Sequence, residues 1–479
     1  MLELNPFRKN KVNLEDYDYQ RDIQNRLMMA KFTEQDLIVL EEILYGHPKT
    51  SITQLAQDLV IEETALLEIL KKLAETGLFS IKDHTITLNK EMRKYFEAQL
   101  LKFEEGFVPG MEYLQTLLRK VPFHTLLSWY PIPRTSNNIF DSLVEKYLLT
   151  PQIFQRYLME LNFGNPVISS IVADVYNSQD FSVLGSELKK KYNLSHEEFE
   201  EILLHLEFNF VCCLTYRKIK GRWEQIVSPF YEWREYLKFI RDNKPFPVED
   251  AHLVKKYRDS DFAFIEDMTT ILTLTKASPL HLVLDEQERW IPDKVSMKLL
   301  SKHLPKFTTD LPPSLFTHYL ATIIRKLLFL KLCKVDGSSL KAMDGCEEWL
   351  ALSVENRALA VYKHTLLKIE QEDFSPEIAT ERTVREIEKT MTPVVHLDWI
   401  CFEDFIKSIA APLSKDNKIV LKKMGKGWKY ALPSYTEEEE RLIKKTLLEW
   451  LFEAGLISIG YLQDKPCFRV TPFGQTIFS

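Results

Sequence analysis

Hydrophobic positions along this chain recur at helical spacing in groups of three, and each group runs into a pair of short alternating segments. The clearest group lies between about Thr33 and Phe96. In TEQDLIVLEEILYG, Thr33 stands as the N-cap before Leu37, Leu40, Ile43 and Leu44. HPKTS makes a proline-containing turn. SITQLAQDLV follows, capped by Ser51 or Thr53, with Leu55, Ala56 and Leu59 as a short apolar face. IEETALLEILKKLAETG predicts a third helix, buried through Leu66, Leu67, Ile69, Leu70 and Leu73, and Gly77 falls where a C-cap needs positive φ. LFSI and TITL then alternate around the turn residues KDH, predicting a β-hairpin. Three helices closed by a hairpin is the winged-helix plan.

The same grammar recurs three times with variations. NPVISSIVADVYN, SVLGSELKKKY and SHEEFEEILLHLEF predict helices, and FVCCLTYRKIKGRWEQIVSP a hairpin turning near Lys220-Gly221. VSMKLLSKHLP and SLFTHYLATIIRKLLFLKL are helical, Pro312 and Pro313 marking the second start, and VDGSS turns between short strands. In the last group WICFEDFIKSIAAPL is helical, KIVLKKMGKGWKYAL is a hairpin turning at Gly425 to Gly427, and TEEEERLIKKTLLEWLFEAG is a long capped helix. LISIGYLQDKPCFRVTP ends the group as strand, turn and strand. The periods are irregular, so a domain plan is repeated rather than a short solenoid unit.

This pattern predicts a mainly α chain with small β-hairpins (α+β), its tandem winged-helix-like domains joined by helical segments. The expected order is an N-terminal extension at 1–31, a winged helix at 32–100 and a helical connector at 101–160. A second winged helix at 161–240 and a connector at 241–290 follow. A winged-helix-like unit at 291–355, a connector at 356–396 and a last unit at 397–479 complete it. PFPVED and SWYPIPRTSNN read as linkers. A length of 479 residues suits three to four domains, because one core rarely grows beyond ~250 residues.

Composition narrows the function. Only 14 glycines argue against glycine-rich phosphate loops and propeller blades. The formal net charge of −7 counts against a protein that coats nucleic acid along its whole surface, so any such binding needs local basic patches. None of the six cysteines, Cys212, Cys213, Cys333, Cys346, Cys401 and Cys467, forms a CxxC pair, so no zinc ribbon, metal or cofactor is expected. Neither an apolar signal core nor a run of 18 apolar residues occurs, so a cytoplasmic chain without a membrane partner is expected.

The last group, LLEWLFEAGLISIGYLQDKPCFRVTPFGQTIF, and the third, TIIRKLLFLKLCKVDGSSLKAMDGCEEWL, resemble the bacterial helicase-associated winged-helix proteins, whose domain is similar to the N-terminal region of XPB-type helicases. Gly455-Leu456 and Thr471-Pro472-Phe473-Gly474 match that family's phrasing, and Gly345 to Leu350 echoes it. The resemblance covers the C-terminal third. It implies association with DNA transactions or transcription regulation, and no catalytic residue.

Searches for reaction chemistry come back empty. No Walker A phrase, no G-x-S-x-G and no H-E-x-x-H occurs, and Met424-Gly425-Lys426-Gly427-Trp428 lacks phosphate-loop spacing. A non-enzymatic chain without a small-molecule substrate is expected. Two basic hairpins stand out instead. Arg217, Lys218, Lys220 and Arg222 cluster beside Trp223, and Lys418, Lys422, Lys423, Lys426 and Lys429 surround Trp428. Closely spaced cations on a wing can follow a phosphate backbone, and an adjacent aromatic can stack on a base. Equally, the tryptophans can pack on their own core, with the lysines protecting a strand edge. The helices expected at the recognition position carry acids, Glu62, Glu63, Glu68 and Glu75 in the first group and Glu197, Glu198, Glu200 and Glu201 in the second, which disfavours base reading there. Two functions fit: a DNA-associated accessory or regulatory protein using the hairpins for backbone contact, or a scaffold whose acidic winged helices bind other proteins.

Overall fold

Side-chain caps begin the helices close to where the sequence places them. Thr33 and Asp36 close a reciprocal capping box, as do Ser195 with Glu198 and Thr436 with Glu439. Between Ser51 and Thr53, it is Ser51 that accepts from the Gln54 N–H, at 3.1 Å. Each such cap contributes ~1 kcal/mol. The computed structural model describes residues 11–132, 138–286, 288–304, 313–366, 374–414, 417–425 and 427–478. The chain is a mixed α and β protein, 55% helical and 16% strand, and its sheets are small and antiparallel.

It folds as two compact units, Met1–Phe239 with Val420–Ala431, and Ile240–Ile419 with Leu432–Ser479. The first opens with α1 (Gln20–Met29). There follow α2 (Glu34–Tyr45), β1 (Lys49–Ser51), α3 (Ile52–Leu59), α4 (Glu63–Ala74), β2 (Phe79–Lys82) and β3 (Thr85–Leu88). The sheet order is β1-β3-β2, with Ile86 opposite both Thr50 and Ile81. Five helices separate this set from the next: α5 (Lys90–Leu100), α6 (Met111–Leu118), α7 (Phe123–Trp129), α8 (Ile139–Leu143) and α9 (Pro151–Glu160). The second set is α10 (Pro166–Asn177), β4 (Val183–Leu184), α11 (Gly185–Tyr192), α12 (His196–Phe208), β5 (Cys213–Ile219) and β6 (Arg222–Ser228), with sheet order β4-β6-β5. Both sets bury their apolar faces in one core, from Leu40 and Leu70 to Leu203 and Val227. α13 (Tyr231–Asp242) follows.

The second unit repeats the order twice. β7 (Lys255–Lys256) precedes α14 (Ala263–Ala277), β8 (Leu280–Leu284), β9 (Trp290–Pro292), α15 (Lys294–His303), α16 (Pro313–Phe329), β10 (Cys333–Asp336) and β11 (Ser339–Ala342). After α17 (Cys346–Ala351) and α18 (Val354–Leu366) come α19 (Glu381–Lys389), β12 (Ile400–Cys401) and α20 (Phe402–Ser408). A separate hairpin, β13 (Leu421–Met424) and β14 (Gly427–Tyr430), interrupts the run. Then α21 (Glu437–Lys445), β15 (Ile457–Leu462), β16 (Lys465–Val470) and α22 (Pro472–Phe478) complete the chain. The sheets run β10-β11-β8-β9 and β12-β16-β15-β7. In all four sets a strand after the first helix bonds the last strand of the hairpin.

Several expectations change on contact with this topology. SVLGSELKKKY and WICFEDFIKSIAAPL each begin as a two-residue strand, because those residues pair with β6 and β16. The first helices of the third and fourth sets, α14 and α19, lie upstream of 291 and 397, in stretches read as connectors. Val248 N–H donates to the Trp399 carbonyl at 2.7 Å, which ties down PFPVED; of SWYPIPRTSNN, Trp129 and Tyr130 are buried and residues 133–137 lie outside the described residues. Pro312 lies outside the described residues. Among those described, five cysteines are buried and Cys401 is half-buried, all as free thiols. Among the described residues no helix is long and apolar enough to cross a membrane.

Candidate nucleic-acid interface

The first basic hairpin turns through positive φ at Lys220 and Gly221, 50° and 80°, which suits the right-handed twist of a tight hairpin. Its register sets Lys218 opposite Trp223 and Ile219 opposite Arg222. Arg217, Lys218, Lys220 and Arg222 are exposed. Lys218 Nζ reaches Glu34 at 2.9 Å, an exposed pair that contributes little and is easily exchanged for another anion. Trp223 is half-buried, edge-on to Phe103 at 5.4 Å, and Phe103 stacks on Tyr216 at 4.1 Å. Its ring therefore belongs to an aromatic core cluster. Arg217, Lys218 and Trp223 line a cleft of about 660 Å³ with Arg234 and Lys238 of α13, against the acids Glu105 and Asp180.

The second hairpin is where sequence and structure part most clearly. It was expected in the C-terminal unit, yet β13 and β14 belong to the first unit. An apolar pair at its base explains this. Leu421 and Tyr430 face each other across the strands and are both buried. Tyr430 Oη donates to the Leu148 carbonyl at 2.8 Å, and Leu421 N–H to the Leu149 carbonyl at 2.8 Å. Trp428 is half-buried and meets Phe140 edge-on at 5.9 Å. Lys422 stands directly opposite Lys429, a like-charge pair that is unfavourable unless an anion joins it. Lys422, Lys423 and Lys429 are exposed; Lys418 is exposed and falls in the second unit. Lys426 lies outside the described residues.

Trp428 and Lys429 line a second cleft of about 610 Å³, together with Tyr45, Arg93, Lys94, Glu97, Tyr113 and Glu232. The two clefts share the wall made by Phe107 and Val108. That loop is held in place because Thr215 Oγ1 donates to the Phe107 carbonyl at 3.1 Å and Tyr231 N–H to the Pro109 carbonyl at 2.9 Å. Hairpins about 200 residues apart in the chain thus flank one loop.

Glu232 was not flagged by the sequence, where it reads as one acid in YEWREYLKF. Its Oε1 accepts from Met111 N–H at 2.9 Å, at the start of α6. Burial pushes its carboxyl up to about 7, with the nearby Glu112 charge adding to the shift. Its Oε2 is buried and has no hydrogen-bond partner among the described residues. Gly110 makes room for it: a Cβ there would sit 2.6 Å from Oε1.

α12 exposes Glu197 and Glu198 as the sequence suggests, but Glu200 is buried and not presented, as is Glu207 further along the helix. Glu207 lies 2.8 Å from Arg26 and 3.5 Å from Lys102, and accepts from Tyr113 at 3.1 Å. Burial pushes the Glu207 carboxyl up, and the Arg26 and Lys102 charges more than reverse that, holding it below the usual range. Glu201, half-buried, accepts from Tyr19 at 3.4 Å. α4 does expose Glu62, Glu68 and Glu75 beside Lys71, while Glu63 is half-buried. Among the described residues no cluster of three or more His, Cys, Asp or Glu is placed to hold a metal ion. No protein-family model matches the chain, and no curated protein or solved structure is similar to it.

Proposed function

We propose that the chain is a non-enzymatic, DNA-associated accessory or regulatory protein, built from four winged-helix repeats, that grips phosphate backbone with two basic hairpins. The repeated order of helix, strand, helix, helix and hairpin, with the first strand on the last, supports the winged-helix reading. The observation that carries the function is the meeting of both hairpins on one unit, at clefts with a common Phe107–Val108 wall. Backbone contact needs only dense local cations, which an acidic chain can supply in one place. Base reading by α12 plays no part, because most of the helix packs against α1 and α6 and its exposed start carries the acids Glu197 and Glu198.

A scaffold reading draws on a different observation, the exposure of Val283, Leu284, Val295, Leu299 and Leu315 in the second unit. Binding of the full chain to labelled duplex DNA against salt separates the two. Affinity should fall steeply with salt, and Lys422→Glu with Lys423→Glu should weaken it and flatten the slope. Absence of binding at low salt would favour the scaffold.

A further inference from the structure

The cleft at the second hairpin contains more than a phosphate track requires. Backbone contact calls for exposed cations, and Lys94 and Lys429 supply them. It does not call for a carboxyl group 95% removed from solvent, nor for aromatic walls. Glu232 is 5% exposed and lines the cleft; one of its oxygens is fixed by Met111 N–H at 2.9 Å, and the other has no partner. A buried polar atom left unpaired is destabilising, so a donor supplied by a ligand would relieve it. Tyr45 and Trp428 line the same space, the first well exposed and the second half-buried.

Hydrogen-bond acceptor, aromatic surface and rim cations match the three parts of a nucleotide. Every natural base carries an N–H donor on its pairing edge, and this edge is accessible only when the base is unpaired. We propose that this cleft takes one unpaired base of a nucleic-acid strand, its N–H donor on the free Glu232 oxygen, its ring against Trp428 and its phosphate at Lys94 and Lys429. A cationic peptide side chain would also satisfy the carboxyl. Against it stand the exposed Lys94 and Lys429 at the rim; Arg93 is already paired with Glu97 at 2.8 Å, and Glu112 lines the cleft as well. The inference rests on the nucleic-acid reading and narrows it from backbone contact to single-stranded or locally opened strands.

The test compares a short single-stranded oligonucleotide with an abasic strand of equal length, using the full chain and strand anisotropy. The base-bearing strand should bind about tenfold more tightly. Glu232→Gln keeps the oxygen that Met111 needs and sets an N–H₂ group where the free oxygen lies, so it should change the preference for the base-bearing strand and shift it towards bases that present an acceptor. Lys94→Ala should weaken both strands alike, and thermal unfolding confirms that each variant is folded. Equal binding of both strands by the parent chain overturns the base site and leaves backbone association standing. Failure of both strands to bind overturns the nucleic-acid reading itself. Glu232-dependent binding of a lysine-rich peptide overturns the base site in favour of a cationic partner.

Discussion

Thr471 holds the last turn of the chain together through one hydroxyl. Its Oγ1 donates to the Gly455 carbonyl at 2.7 Å and accepts from Gly474 N–H at 2.9 Å, capping α22 where Pro472 starts it. Gly474 is needed because a Cβ there would lie 2.0 Å from the Leu456 carbonyl oxygen. The T-P-F-G phrase is thus a packing device, and it says nothing on its own about DNA. Thr471→Val should cost about 1–2 kcal/mol in urea unfolding, and Gly474→Ala more, because backbone must move. Glu232 gives a pH signature at the same scale. Its folded carboxyl is raised to about 7, above the ordinary carboxylate range, so the folded state holds the proton more tightly. That contribution is fully present below the unfolded value and is lost as pH rises through about 7, with a size on the order of 3 kcal/mol. Glu232→Gln should therefore gain on the parent chain as pH rises, and be the more stable above about pH 8. A parallel pH–stability profile for the two proteins would contradict this.

Among the elements, α1 and α12 are joined by charge. Arg26 lies 3.5 Å from Glu200 and 2.8 Å from Glu207, and all three are buried. Removing the cation takes from Glu200 its buried ion pair and leaves Glu207 to Lys102 alone, so Arg26→Met should lower stability by about 3–5 kcal/mol, read by chemical denaturation. No local pattern disclosed this pairing. HEEFEEILLHLEF looks like a solvated helix start until a partner some 180 residues away is known. Helices were legible because caps such as Thr33, Ser195 and Thr436 act within one turn of the residues they serve. The short strands β4 and β12 were not, since two residues become a strand only by pairing with a distant one. The second hairpin was legible as a hairpin, from its alternating residues and glycine turn. Its address was hidden, because Leu421 and Tyr430 declare only that they seek a core.

At the level of the whole molecule, the same principle gathers the candidate site. Ten of the eleven cations and tryptophans named from sequence lie in the two hairpins, and the structure describes nine of those ten, all but Lys426. Folding brings both hairpins to one unit, while Lys418 stays with the other. Trp223 and Trp428 each meet a neighbouring phenylalanine edge-on, and both hairpins set exposed cations beside such a half-buried ring. The most direct test of joint action is the slope of log affinity against log salt for a single DNA strand. It is measured for the parent chain, for Arg217→Gln with Lys220→Gln, for Lys422→Gln with Lys423→Gln, and for all four together. Each pair should reduce the slope by about 1.4 and all four by about 2.8, at one strand per chain throughout. Identical slopes in all four proteins, or two strands bound per chain, would show that the hairpins do not share a ligand.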